Sequence, residues 1–107
     1  MILSRLAQKL ADFRKPAQPA PRLSLVIVVF NMRREAPRTL LTLSPVYQQN
    51  VSVMDYEVIV VENGSSEPLT AEEVAQFGPN FRYLWIDNAS PSPAGAINRG
   101  VALSRAP

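Results

Sequence analysis

The stretch "VIVVENGSS", residues 58–66, sets four β-branched apolar residues directly against Glu62, Asn63, Gly64 and two serines. A short, continuous, β-branched run reads as a strand buried on both faces, the kind found in parallel sheets. Working outward, "YEVIVV" (56–61) extends that strand upstream, and "LSLVIVVF" (23–30) has the same character. Downstream, "FRYLWI" (81–86) predicts a third strand. There Phe81, Tyr83 and Trp85 alternate with Arg82 and Leu84, which places it nearer a sheet edge than the other two.

The segments between the strands carry helical periodicity. "EAPRTLLTLSPVYQQ" (35–49) spaces Leu40, Leu43, Val46 and Tyr47 for one helix face, with Pro37 suited to a first turn. Pro45 conflicts with a continuous helix, so a kink or an early stop is expected there. "LTAEEVAQF" (69–77) predicts a short helix capped by Thr70. After the loop "DNASPSP" comes "AGAINRGVALSRA" (94–106), a helix rich in small residues. The order is β-α-β-α-β-α, an α/β arrangement with parallel strands joined by right-handed crossovers and lying in the order 3-2-1.

A sheet of this kind binds ligands beyond the carboxyl ends of its strands. Those ends are Phe30-Asn31, Glu62-Asn63-Gly64-Ser65 and Asp87-Asn88-Ala89-Ser90, and each is polar. Asn31, Glu62, Asn63, Ser65 and Ser66 can donate or accept hydrogen bonds, and Gly64 permits a tight turn and close ligand approach. The competing reading is that Asn, Gly and Ser simply form turns as the chain leaves a strand.

Composition narrows the chemistry. With 107 residues, 47% hydrophobic and 19% charged, the chain has the size and balance of one globular domain. It contains no cysteine and no histidine, which excludes disulfides, thiolate metal sites and imidazole bases. The net charge of +2 is unevenly placed: residues 1–22 hold five cations against Asp12 alone, whereas residues 23–107 hold six arginines against eight acids. No basic cluster suited to a phosphate backbone follows, and nucleic acid is not an expected partner.

Residues 1–21 read as a leader to the domain that begins at Arg22. Leu3, Leu6, Leu10 and Phe13 line one face of an amphipathic helix whose other face carries Arg5, Lys9, Asp12 and Arg14. Such a helix suits an anionic membrane surface or the face of a protein. Pro16, Pro19 and Pro21 then make a semi-rigid linker. No apolar run approaches the ~20 residues of a membrane span, and no secretory signal pattern opens the chain. The expected location is the cytoplasm, with the leader able to lie on the inner face of the membrane.

Nucleotide motifs of the common kinds are missing. "VVFNMRRE" after the first strand has no glycine, so it cannot form G-x-G-x-x-G, and no G-x-x-x-x-G-K-[ST] occurs. Taken in order, however, "LSLVIVVFN", "RTLLTLSPVYQQ", "YEVIVVENGSSE" and "PAGAINRGVALSRA" resemble the N-terminal half of a family 2 glycosyltransferase of the GT-A fold, over residues 22–106. That family reads roughly S-V-V-I-P-T-Y-N, then a helix ending S-hydrophobic-x-x-Q, then E-I-I-V-V-D-D-G-S-x-D, then A-x-N-x-G.

The resemblance implies a Rossmann-like half-domain that holds a nucleotide-sugar donor. Val28, Val29 and Phe30 match P-T-Y beside the base, followed by Asn31, with the threonine and tyrosine hydroxyls lost. Asn63 matches the second aspartate of V-D-D-G-S, which pairs with the base edge, and Gly64 follows it. Glu62 matches the first, an organiser of the loop. Asn98 and Gly100 match A-x-N-x-G, near the donor's phosphate and sugar side. The family's D-x-D, which binds Mg²⁺ or Mn²⁺, and its catalytic base lie further along than Pro107, so metal and catalysis are expected only in a full-length enzyme.

Asp55 and Glu57 form a D-x-E, but at the start of the second strand, the edge opposite the polar ends, where solvated charges are expected. The alternative to a transferase half is a non-catalytic nucleotide-binding or protein-interaction module. In either case the unpaired edges of a three-stranded sheet lead to an expectation of self-association.

Overall fold

β2 (Tyr56–Glu62) runs through the centre of the sheet with all seven residues buried. In the structure, a computed structural model that describes residues 19–107, β1 (Leu23–Val29) and β3 (Phe81–Trp85) pair with it on either side, both parallel. The register sets Val29, Glu62 and Trp85 in one row, so the three carboxyl ends finish level. The expected amphipathic helix over 1–15 lies outside the described residues.

The period of two along each strand divides the core into two layers. On one face Tyr56, Val58 and Val60 of β2, with Val29, meet Leu40 of α1 (Ala36–Leu43) and Val74 of α2 (Ala71–Ala75). On the other, Ile59 and Val61 pack with Ile86 and with Ala96 of α3 (Ala94–Leu103). Ala96 and Gly100 are the buried residues of α3, so a helix face of small side chains lies against the valines of the sheet.

Local chemistry ends the helices. Proline disfavours the helical conformation in the residue before it, and α1 stops ahead of Pro45, with Ser44 extended and its N–H donating to the Leu41 carbonyl. α2 starts in a capping box, the Thr70 hydroxyl accepting from the Glu73 N–H while the Glu73 carboxylate accepts from the Thr70 N–H. Among the described residues no helix is long and apolar enough to cross a membrane.

Three sequence expectations are modified. β1 is half-buried along most of its length instead of enclosed, because its outer edge has no partner strand among the described residues. That open edge is the feature behind the expectation of self-association. α3 ends at Leu103, three residues short of the expected 106. Here the backbone N–H groups of Arg105 and Ala106 leave the helix pattern and donate to Glu57 Oε2 at 2.7 Å and Ser24 Oγ at 3.2 Å.

The third correction concerns Glu57 itself, which is 1% exposed and not solvated. Its carboxylate accepts from Ser24 Oγ at 2.6 Å, and from the guanidinium groups of Arg82 at 3.1 Å and Arg105 at 3.2 Å. The side chain points to the α3 face, where the returning chain covers it. Asp55 lies ahead of the strand and accepts from the Ser52 N–H in a turn. The D-x-E pair therefore has two separate structural duties.

Candidate functional site

Three left-handed residues stand just past the three strands: Asn31 (φ 50°) after β1, Gly64 (φ 73°) after β2 and Asn88 (φ 49°) after β3. Asparagine and glycine are the residues that adopt this conformation at least cost. Each strand thus ends in a sharp turn that keeps polar groups at the carboxyl edge.

Beneath the turns, Glu62 ties the loops together. It is fully buried, with Oε1 accepting from Ser65 Oγ and Oε2 accepting from the Leu69 N–H, both at 2.6 Å. The Ser65 hydroxyl in turn accepts from the Asn31 N–H at 2.8 Å, and Asn31 Oδ1 accepts from the Ser66 N–H at 3.0 Å. Buried polar groups must be paired to avoid a desolvation penalty, so this chain of bonds sets the relative positions of the first two loops. Arg33 fastens the same region to α2, donating to both Glu73 oxygens at 2.8 and 3.0 Å. The Arg33 hydrogen bond holds the Glu73 carboxyl below its ordinary value.

Asn63 sits above Glu62, only 4% exposed, its N–H bound to the Val29 carbonyl at 2.8 Å. Its side-chain amide donates to the Ser90 carbonyl at 3.3 Å, which orients the group with Oδ1 free of any protein partner among the described residues. A cavity of about 380 Å³ opens at this point, with Asn63 in its lining and Phe30, Trp85, Asp87 and Ser90 around it. Phe30 is 52% and Trp85 39% exposed.

Gly64 closes one side of the cavity under tight constraint. A Cβ built there would stand 2.9 Å from the Ala89 side chain, in a backbone conformation that L side chains rarely adopt. Gly64→Ala is therefore expected to cost about 1–3 kcal/mol and to push the 87–91 loop away. Urea unfolding checks this; an unchanged midpoint would show that the loop gives way freely.

The nine residues singled out in the sequence fall into four groups. Phe30, Asn63 and Gly64 line the cavity, while Asn31 and Glu62 support it from the loops. Val28 packs toward α3 and Val29 toward α1, both inside the core layers, and Gly100 is buried against Val26 and Val61. Asn98 is exposed on α3 and does not line the cavity. Trp85 was visible only as an alternating strand residue. Its place at the very end of β3 was the signal that could have marked it.

A second cavity of about 370 Å³ lies at the opposite edge, against Leu23, Leu43 and Tyr56. It is comparable in volume, but parallel sheets place ligands beyond the carboxyl ends of their strands, where loops can converge. The cavity at Asn63 is the one so placed.

The model of the family described as glycosyl transferase family 2 matches residues 24–107. The chain belongs to glycosyltransferase family 2. No curated relative matches the sequence. Among solved structures, the mannosyltransferase PcManGT from Pyrobaculum calidifontis, in complex with GDP-Man and Mn²⁺, is similar at 21% identity with a TM-score of 0.53. The match covers 94% of this chain and 31% of that one, so this chain spans about a third of the mannosyltransferase's length. The likeness shows the fold: three parallel strands alternating with helices, the arrangement of a GT-A Rossmann-like half.

The similar mannosyltransferase holds Mn²⁺, and a hard divalent cation of that kind takes oxygen ligands, carboxylates among them. Among the described residues no group of three or more His, Cys, Asp or Glu could hold an ion. Asp87 is the carboxylate at the cavity, and its Oδ1 already accepts from Trp85 Nε1 at 3.2 Å. These residues do not by themselves fit a divalent cation.

Proposed function

We propose that this chain is the donor-binding half of a GT-A glycosyltransferase, holding the nucleotide of a nucleoside-diphosphate sugar while the longer enzyme passes the sugar to an acceptor hydroxyl. The observation that carries the reading is the cavity at the carboxyl ends of β1 to β3, with the nearly buried Asn63 amide in its lining. Family membership supplies the reaction class, and the GDP-Man of the similar mannosyltransferase supports a nucleotide-sugar ligand.

In the transfer, the acceptor oxygen forms a bond to the anomeric carbon as the bond from that carbon to the diphosphate breaks. A carboxylate takes the acceptor proton. The described residues contribute to holding and orienting the donor, since they offer neither a metal-ligand set nor a carboxylate placed for that proton. Asn63 acts on the base: Oδ1 is an acceptor for a ring N–H, held in place by the bond from its amide to Ser90. Glu62 acts through the loops and does not reach the ligand.

Equilibrium dialysis with UDP, GDP, ADP and CDP tests the reading. Loss of one well-placed hydrogen bond in a nearly buried site is worth about 1–2 kcal/mol, so Asn63→Ala is expected to weaken the preferred nucleotide about 5- to 30-fold. Asn63→Asp, which restores the family's usual residue, should retain measurable binding. If no nucleotide binds the chain, or if Asn63→Ala binds as well as the parent, the site lies elsewhere.

A further inference from the structure

We propose that the amino edge of the sheet, opposite the Asn63 cavity, is a docking surface for an anionic lipid bilayer, with the leader joining it from the same side. The inference goes beyond donor binding and does not depend on it.

Topology gathers exposed apolar residues at this edge. Leu23 begins β1, and Val51 and Met54 lie in the loop that leads into β2. α1 and α3 run back from the carboxyl ends of the strands, so Val46 and Tyr47 just after α1, and Leu103 at the end of α3, arrive at the same level. Two hydrogen bonds fix those returns: Tyr56 Oη donates to the Leu43 carbonyl at 2.6 Å, and Arg82 donates to the Leu103 carbonyl at 2.7 Å. Val46 is 91% and Tyr47 60% exposed, and the other four lie between 37% and 53%. Exposed apolar groups gathered on one side of a domain mark a protein or membrane contact.

Charge points to the membrane. Of the eight acids in residues 23–107, Glu35, Glu62, Glu67, Glu72, Glu73 and Asp87 belong to the carboxyl edge, together with Arg33, Arg34 and Arg38. The two acids at the amino edge are engaged, Glu57 by Arg82 and Arg105 and Asp55 by the Ser52 N–H, while Arg22 is exposed there. The leader, with Arg5, Lys9, Arg14 and Lys15 against Asp12, enters the domain at this same edge, where Pro19 and Pro21 line a small cavity with Met54 and Arg105. One end of the molecule is therefore apolar and cationic and the other acidic. An anionic bilayer suits the first and is repelled by the second. The seven residues of β2, at about 3.3 Å each, put roughly 20 Å between the two edges. The Asn63 cavity then opens to water while the amino edge lies on lipid.

Co-sedimentation with vesicles of phosphatidylcholine, alone or mixed with phosphatidylserine, tests the proposal. The chain is expected to bind the mixed vesicles at low salt, to leave them at high salt and to ignore phosphatidylcholine alone. Val46→Ser combined with Tyr47→Ser should weaken binding about 10-fold or more, and Lys9→Ala or Lys15→Ala about 5-fold each. Urea unfolding of each variant separates these losses from misfolding. Trp85, the single tryptophan, stands at the far edge, so its emission should stay unchanged as the chain binds. A blue shift would mean that the carboxyl edge meets the lipid and would overturn the orientation. No binding to the mixed vesicles, or binding indifferent to Val46 and Tyr47, would overturn the surface itself. A dimer in light scattering that the Val46 and Tyr47 variant abolishes would make a second copy of the chain the occupant instead.

Discussion

Glu57→Ala is expected to lower the unfolding free energy by about 2–4 kcal/mol, measured by urea unfolding near neutral pH. The carboxylate is 1% exposed and accepts four hydrogen bonds, from Ser24 Oγ, the Arg105 N–H, and the side chains of Arg82 and Arg105. Removing it leaves those donors around a void at the base of the sheet. The arginine side chains are 37% and 50% exposed and can turn to water, which keeps the loss below that of a fully enclosed ion pair. The backbone N–H of Arg105 has no such freedom without pulling the segment after α3 off the sheet.

The same network predicts a pH dependence. Burial by itself would push the Glu57 carboxyl up, but the hydrogen bonds from Ser24, the Arg105 backbone, Arg82 and the Arg105 side chain outweigh it and bring the pKa from 4.5 down to about 2. Because the folded value is the lower one, the unfolded chain takes up the proton first as pH falls. The contribution is complete above the unfolded value of 4.5 and is lost as pH falls through that value toward about 2. A shift of this size corresponds to on the order of 3 kcal/mol. Glu57→Gln should flatten the acid limb of stability against pH by that amount. An acid limb as steep as the parent's would mean that other carboxylates govern it.

The second large effect is expected at Gly100. A Cβ there would run into Val26 Cγ1 and stand 3.2 Å from Val61 Cγ2, closer than side chains tolerate. Val26 is β-branched and stiff about χ1, so it has no long flexible end to swing aside. The helix must lift from the sheet instead. Gly100→Val is expected to cost about 3 kcal/mol or more, since overpacking of a filled core costs ~1–3 kcal/mol and valine adds bulk beyond the first methyl. Gly95 of the same helix is the control, because a Cβ there meets nothing within 4 Å. Gly95→Ala should be neutral or stabilising by up to about 1 kcal/mol. Equal urea midpoints for the two variants would show that α3 does not sit on the valines as described.

Gly100 also illustrates how packing and site are joined. α3 rests on the face that carries Ile59, Val61 and Ile86, and Ala89 of the cavity loop packs against the same cluster. Lifting the helix therefore loosens the loop whose Ser90 carbonyl orients Asn63. Under the proposed donor-binding function, the stability change and the loss of nucleotide affinity should rise together across substitutions at this position.

Much of the fold was legible because its signals are local. The β-branched runs at 23–29 and 56–62, the proline at 45 and the Thr70 to Glu73 box each depend on residues a few positions apart. Parallel order followed from alternation of strands and helices, and the polar strand ends pointed to one edge. Site geometry was less legible. Nothing near Glu57 in sequence indicates that Arg82 and Arg105, which lie 25 and 48 positions away, close over it. Trp85 reads as an alternating edge residue until the register sets it level with Glu62 and Val29.

By itself, then, the sequence determined the element types, their order and the family, since backbone preference and periodicity are properties of short stretches and the family pattern is an ordered series of them. Tertiary structure decided what each polar or small residue does. Glu62 becomes a loop organiser because Ser65 and Leu69 reach it, Asn63 becomes a cavity residue because Ser90 turns its amide, and Gly100 becomes a packing contact because Val26 lies beneath it. These roles depend on which chain segments meet across the sheet, and that is set only when the strands take their register.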